Sequence, residues 1–182
     1  MAEQTLASRM AYEGRLISLR VDDVELATGR RARREIVVHP GAVVIVAWDG
    51  ERLAMVRQWR QAVGGTLLEC PAGTRDPGEQ PAATAARELA EEAGVRAATW
   101  RVGPAFFSAP GFCTERLTLF LATDLSPATD VVSPEDEDLE ASWLTLAEAL
   151  AAIDDGQVQD AKSLVAILWL ARHLDLLAEE PD

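Results

Sequence analysis

Glu88, Glu91 and Glu92 lie three and four residues apart in a stretch with helical character. Side chains at such spacings are neighbours on a helix surface, so the three carboxylates share one face. Crowded like charges repel unless something positive sits among them. Hard divalent cations such as Mg2+ bind carboxylate oxygens and bridge to substrate phosphates, which makes the cluster a candidate metal site. Arg87 is the only cation in the cluster and stands one turn before Glu91, where it can orient that carboxylate. Three glutamates alone would be an ordinary solvated helix face. Their setting is not ordinary. From Gly73 to Val95 the chain fits G-x5-E-x7-R-E-U-x-E-E-x-G-U, with U aliphatic, filled by Gly73, Glu79, Arg87, Glu88, Leu89, Glu91, Glu92, Gly94 and Val95. At average residue usage an accidental match is on the order of one in a billion per window, so chance is rejected.

The elements that must position these groups can be read around them. Pro81 suits a first helical turn and Gly94 the left-handed residue past a helix end, which brackets a helix of about three turns. Ala82, Ala85, Ala86, Leu89 and Ala93 form an apolar stripe expected to pack on a core. Ala72-Gly73 and Pro77-Gly78 predict a tight turn before the helix, where backbone carbonyls can join the carboxylates.

Residues 1 to about 14 read as a polar lead-in with room for one short strand. Arg15–Val24 and Arg33–Val38 read as strands joined by a turn at residues 27–30, an N-terminal antiparallel hairpin. The four arginines among residues 30–34 read as a solvated turn and strand edge. Gly41–Trp48 is a nearly continuous apolar strand, Asp49-Gly50 a turn, Arg52–Arg57 the returning strand and Leu67–Cys70 a short strand into the glutamate-rich stretch. Strands are expected at Thr99–Phe107 and Leu117–Thr123, separated by a Pro-Gly loop at residues 108–115. Asp130–Leu139 is a second acidic concentration, followed by a strand ending near Trp143. Thr145 with Glu148 has capping-box spacing for a helix to about Ile153, which Gly156 breaks. A final helix is expected from about Asp160 to Glu179.

A length of 182 residues fits a single core of substantial size. Thirty acidic against seventeen basic residues leave a net charge of −13, which argues against sequence-independent nucleic-acid binding. An anionic small substrate would meet the same repulsion and need metal ions and local arginines. No apolar run approaches membrane-spanning length, so no membrane partner is expected. Cys70 and Cys113 read as buried free thiols of a reducing cytoplasm, and His39 and His173 as structural.

The Gly73–Val95 pattern is the signature of the Nudix hydrolases, and the chain resembles their ADP-ribose pyrophosphatase and nucleoside diphosphate sugar hydrolase branch from about Tyr12 to the C-terminal helix. Arg57-Gln-Trp-Arg60 resembles that branch's R/E-Q-Y/F-R element, and residues 108–115, with Pro110 and Glu115, its S-P-G-x-x-x-E segment. Residues 135–139, with Glu135 and Glu137, resemble its acidic loop, and residues 161–169 its closing helix. The resemblance implies an α/β/α sandwich around a mixed β-sheet. It implies residues 1–40 as a hairpin region that forms a homodimer and residues 41–182 as the hydrolase domain. It also implies Mg2+-dependent hydrolysis of ADP-ribose to AMP and ribose 5-phosphate, with Mn2+ as an alternative ion. Glu88, Glu91, Glu92 and the carbonyl of Ala72 are the implied metal ligands, either Glu135 or Glu137 the general base, and Arg87 a catalytic-site residue. Arg34, Glu35, Arg60, Pro110 and Glu115 are the implied substrate contacts. Trp59, Ala93 and Ala109 depart from the commoner Tyr or Phe, Thr and Ser, and no aromatic flanks Gly14 to stack a base. Alternatives are another nucleoside diphosphate sugar such as GDP-mannose, or a module that binds ADP-ribose without hydrolysis. The latter commonly loses box carboxylates, which this chain keeps.

Overall fold

Residues 2–131 and 139–177 are described in the computed structural model of the chain. The N-terminal segment forms three antiparallel strands, β1 (Gln4–Glu13), β2 (Ser18–Glu25) and β3 (Arg31–Val38), in the order β1-β2-β3. The expected hairpin is therefore β2 and β3, paired from Ser18↔Val38 to Glu25↔Arg31. The expected polar lead-in is instead the full ten-residue edge strand β1. Every residue of β1 is exposed, and its alternating Leu6, Met10 and Tyr12, interrupted by Ser8, were the only apolar signal the sequence offered for it. Backbone pairing with β2 defines it, interrupted by irregularities between Thr5 and Ala7 and between Met10 and Tyr12. Residues 106–117 belong to the same compact unit as residues 1–41. There Val37 donates its N–H to the Phe112 carbonyl at 2.8 Å and accepts from Thr114 N–H at 2.9 Å.

The second unit, residues 42–105 and 118–182, holds the remaining elements. They are β4 (Ala42–Ala47), β5 (Arg52–Arg60), β6 (Gly65–Glu69), β7 (Ala72–Thr74), α1 (Pro81–Ala93), β8 (Val95–Phe107), β9 (Arg116–Pro127), β10 (Leu139–Thr145), α2 (Leu146–Asp154) and α3 (Ala161–Leu177). The ends of β8 and β9 extend into the first unit. The strands form one sheet ordered β7-β4-β9-β8 and another ordered β10-β5-β6, whose two pairings are antiparallel. This is the expected α/β class.

β4, AVVIVA, is buried at all six positions. A strand reads this way when both faces are covered. Val43, Ile45 and Ala47 pack with Ala85, Leu89 and Ala93 of α1 in one core cluster. Val44 and Val46, of opposite parity, point to the other face, and α3 also packs on β4. The α1 stripe is shorter than its sequence implied. Ala85, Leu89 and Ala93 are buried, whereas Ala82 and Ala86, nearer the helix start, are exposed. Gly94 closes α1 at φ 65°, a conformation open to glycine without Cβ strain. α2 opens on the expected capping box of Thr145 and Glu148. Cys70 is buried, and burial pushes its thiol up to about 12; Cys113 is only partly buried, contrary to expectation.

Leu89 is fully buried at the centre of the α1–β4 contact. Leu89→Ala is expected to lower unfolding stability by about 3 kcal/mol. Chemical denaturation checks this, and a loss well below 1 kcal/mol would contradict that packing.

Candidate active site

α1 follows a short strand and a loop, and that order sets the site. The expected turn at Ala72-Gly73 is displaced: residues 72–74 are β7, paired antiparallel to β4 with Val43 opposite Gly73 and Val44 opposite Ala72. The chain reverses later, where Glu79 N–H reaches the Asp76 carbonyl at 2.9 Å. β7 therefore runs beside α1. The Ala72 N–H donates to Oε2 of the buried Glu92 at 2.8 Å. Glu88 lies over Gly73 so closely that a Cβ there would sit 1.9 Å from the Glu88 carboxyl carbon and Oε1. Glycine leaves the cradle into which this carboxylate fits.

Arg87 gathers the remaining acids. Its Nη1 donates to Glu88 Oε1 at 2.7 Å and to Glu91 Oε2 at 3.0 Å, and its Nη2 and Nε reach the two oxygens of Glu79 at 3.2 and 3.3 Å. Nη2 also meets the Thr74 carbonyl at 3.4 Å. Burial works against the charge of Arg87, but its hydrogen bonds to Glu79 and the Glu88 charge outweigh it and push its pKa upward. Glu79 accepts further from the Asp76 N–H at 3.1 Å and the Thr84 hydroxyl at 2.9 Å. The Arg87 hydrogen bond is the main force holding its carboxyl down at about 2. Sequence reasoning counted Glu79 as part of the pattern without a role. Its role is to anchor the arginine that spaces Glu88 from Glu91, and its fixed position eight residues before Arg87 was the available signal.

The donors suit a hard divalent ion: they are all carboxylate oxygens on one side of α1, beside a strand that can add a carbonyl, with Gly73 leaving room for Glu88. As placed, no three such side chains converge on one point among the described residues. Arg87 stands between Glu88 and Glu91 and holds their carboxylates at a fixed spacing.

In the same unit, Arg60 at the end of β5 forms a two-bond fork with the buried Glu69, at 2.8 and 2.6 Å. Lys162 Nζ also donates to Glu69, and Asp160 holds Lys162 at 2.9 Å. Burial pushes the Glu69 carboxyl up, but Arg60 and Lys162 outweigh it and leave it below the usual range. Sequence reading missed this group, although an acid between Leu68 and Cys70 in an apolar strand signals a paired buried charge. A shallow cleft of about 340 Å³, lined by Arg57, Ser142, Glu148 and Gln157 among others, contains none of the expected site residues.

Arg34, Glu35, Pro110 and Glu115 lie in the N-terminal unit. Arg34 is bound by Glu3 through two bonds of 2.5 and 3.1 Å, and Glu35 and Pro110 are exposed. Glu115 lies 3.7 Å from His39 Nε2, while His39 Nδ1 accepts the Gly41 N–H at 3.0 Å. Glu135 and Glu137 fall outside the described residues.

The family pattern described as NUDIX domain matches residues 38–166, and that of the nucleoside diphosphate sugar hydrolase N-terminal domain matches residues 3–37. An ADP-ribose pyrophosphatase of Bacillus subtilis is 41% identical over 182 residues, covering 99% of this chain and 98% of the relative. A methanol dehydrogenase activator of Bacillus methanolicus is 38% identical over 92% of both chains. An ADP-ribose pyrophosphatase of Mycobacterium tuberculosis is 38% identical over 91% of this chain and 81% of its own. A crystal structure of an ADP compounds hydrolase superposes with a TM-score of 0.87 at 24% identity, over 99% of this chain and 98% of that one, which bears on the fold.

Two outcomes follow from this geometry. Gly73→Ala drives the Glu88 carboxylate from its cradle at little cost to folding, because the clash is with a flexible side-chain end. Divalent-ion affinity is expected to fall at least about tenfold with the melting temperature nearly unchanged; unchanged affinity would show that Glu88 needs no such cradle. Glu79 has a folded pKa of about 2 against an ordinary 4.5. Its stabilising contribution is therefore complete above pH 4.5 and lost as pH falls toward 2. Urea midpoints of wild type and Glu79→Gln should differ at pH 7 and converge between pH 4.5 and 2, whereas a gap independent of pH would remove Glu79 as Arg87's anchor.

Proposed function

The chain belongs to the Nudix family, and on that premise we propose that it is a pyrophosphohydrolase that cleaves ADP-ribose to AMP and ribose 5-phosphate. The observation that carries this reading is the complete acidic cluster of α1 and the loop before it, with Glu79, Glu88 and Glu91 gathered on Arg87 and Glu92 against Ala72. A module that only binds would have no use for the full set. The substrate assignment is supported by the relatives named ADP-ribose pyrophosphatase, of which the first matches along nearly the whole chain.

Members of this family work with divalent metal, and the ion proposed here is Mg2+, with Mn2+ as a substitute. Glu88, Glu91, Glu92 and the Ala72 carbonyl would hold it. When bound, such an ion offsets phosphate charge and makes water a better nucleophile. The chain's own residues do the rest. Arg87 sets the spacing of Glu88 and Glu91, and the Ala72 N–H aims Glu92. Glu135 or Glu137 takes the proton from the water that attacks phosphorus. Arg60 and Arg34 bind phosphate oxygens, for which the guanidinium fork is suited. Glu35, Glu115 and Pro110 are the further proposed substrate contacts.

The proposed assembly is a homodimer. β1 is a ten-residue edge strand carrying exposed Leu6, Met10 and Tyr12, and such an edge is open to pairing with a second copy. No described helix is long and apolar enough to cross a membrane. The unpaired cysteines support a cytoplasmic location, and the −13 charge argues against nucleic acid as a partner.

A panel of nucleoside diphosphate derivatives with Mg2+ tests this reading. ADP-ribose is expected among the best substrates, Glu92→Gln to abolish turnover and Glu135→Gln to slow it about a hundredfold if Glu135 is the base. Binding of ADP-ribose without metal-dependent hydrolysis would refute the enzyme reading, and preference for GDP-mannose would refute the substrate. An unchanged rate in Glu135→Gln would move the base to Glu137.

A further inference from the structure

The mechanism above has no use for Glu69, although its side chain is only 1% exposed and is gripped by two cations. Arg60 donates one N–H to each of its oxygens, from Nε at 2.8 Å and from Nη2 at 2.6 Å, and Lys162 donates to Oε2. The first turn of α3 supports the arrangement at two consecutive residues. Asp160 holds Lys162 at 2.9 Å and the Ser163 N–H at 3.1 Å, and Ser163 Oγ accepts the Cys70 N–H at 2.7 Å. A two-bond fork fixes the plane of a guanidinium, which a single hydrogen bond does not.

This fork leaves one edge of Arg60 available. With Nε and Nη2 committed to Glu69, Arg60 makes no hydrogen bond through Nη1 among the described residues, and its side chain keeps 37% exposure. A purely structural partner of Glu69 has no need of an exposed edge. The same stretch of chain leads straight to the acidic cluster: three residues after Glu69, Ala72 donates its N–H to Glu92. The charge of Glu92 also reaches Arg60.

We infer that Glu69, backed by Lys162, is a positioning residue that locks the Arg60 guanidinium so that its Nη1 edge meets a phosphate oxygen of a nucleoside diphosphate held beside α1. The inference rests on the substrate class proposed above. Glu69 touches no reacting atom and acts through Arg60.

A double-mutant cycle tests it. Affinity for ADP-ribose is measured by calorimetry in EDTA, and KM and kcat with Mg2+, for wild type, Arg60→Ala, Glu69→Gln and the double variant. Glu69→Gln is expected to weaken binding and raise KM about tenfold, the size of a lost charge-assisted contact, with kcat changed far less. In the Arg60→Ala background it is expected to add nothing. Additive losses, or full affinity in Glu69→Gln, would overturn the inference. Should Glu69→Gln fail to fold, Glu69→Asp keeps the charge and shortens the fork by one methylene. It is expected to show the same non-additive loss, and wild-type affinity there would overturn the inference. If the wild type binds no nucleoside diphosphate derivative, the substrate reading falls and this inference with it; binding with additive losses sinks the inference alone.

Discussion

Arg87 held among Glu79, Glu88 and Glu91 is the interaction on which the rest of the site depends. Four acids within one loop and two helical turns would repel one another, and one guanidinium with its planar set of donors offsets that repulsion while dictating spacing. An isolated surface ion pair contributes little. Here the same cation is shared by three carboxylates and a backbone carbonyl, each with side-chain exposure well below that of a free surface group, so the geometry is over-determined.

That cluster can lie against the sheet only because β7 passes beside α1 without side-chain bulk at Gly73. β4 supplies the rigid support. It is buried on both faces, pairs with β7 along one edge, and packs with α1 through Val43, Ile45 and Ala47. The apolar core thus sets the distance between helix and strand, and polar groups at its margin, the Ala72 N–H and the Glu92 carboxylate, join across that distance. A buried ion pair such as Glu69 with Arg60 adds little net stability, since desolvation offsets most of the attraction. What such a pair fixes is the plane of the Arg60 guanidinium, through two parallel hydrogen bonds.

Much of this was legible in the chain, and the parts that were not share physical causes. α1, its Pro81 start and Gly94 stop, the α2 capping box and the apolar β4 are local patterns, and local patterns are written within one window of sequence. β1 escaped as a full strand because hydrogen bonding to β2 defines its extent, while its alternation of Leu6, Met10 and Tyr12 is broken at Ser8 and all of it is exposed. Ala72-Gly73 resembled a turn because glycine permits one, yet pairing with β4 draws it into a strand. Ala82 and Ala86 obeyed the helical stripe, but burial requires a surface opposite, and among the described residues none covers them.

The kind of chemistry was determined by sequence alone, because acidic side chains on one helix need only their spacing of three and four residues to share a face. The arrangement of those groups was decided by tertiary structure. That Glu79 anchors Arg87, that Glu88 rests over Gly73, that Glu92 takes the Ala72 N–H, and that Glu69 is held by Arg60 and by Lys162 of α3 are contacts between residues up to 93 positions apart. No periodicity encodes such contacts. They exist because packing α1 and α3 on β4 brings charged groups to the margin of one core, where each must find a partner or bear the cost of burial.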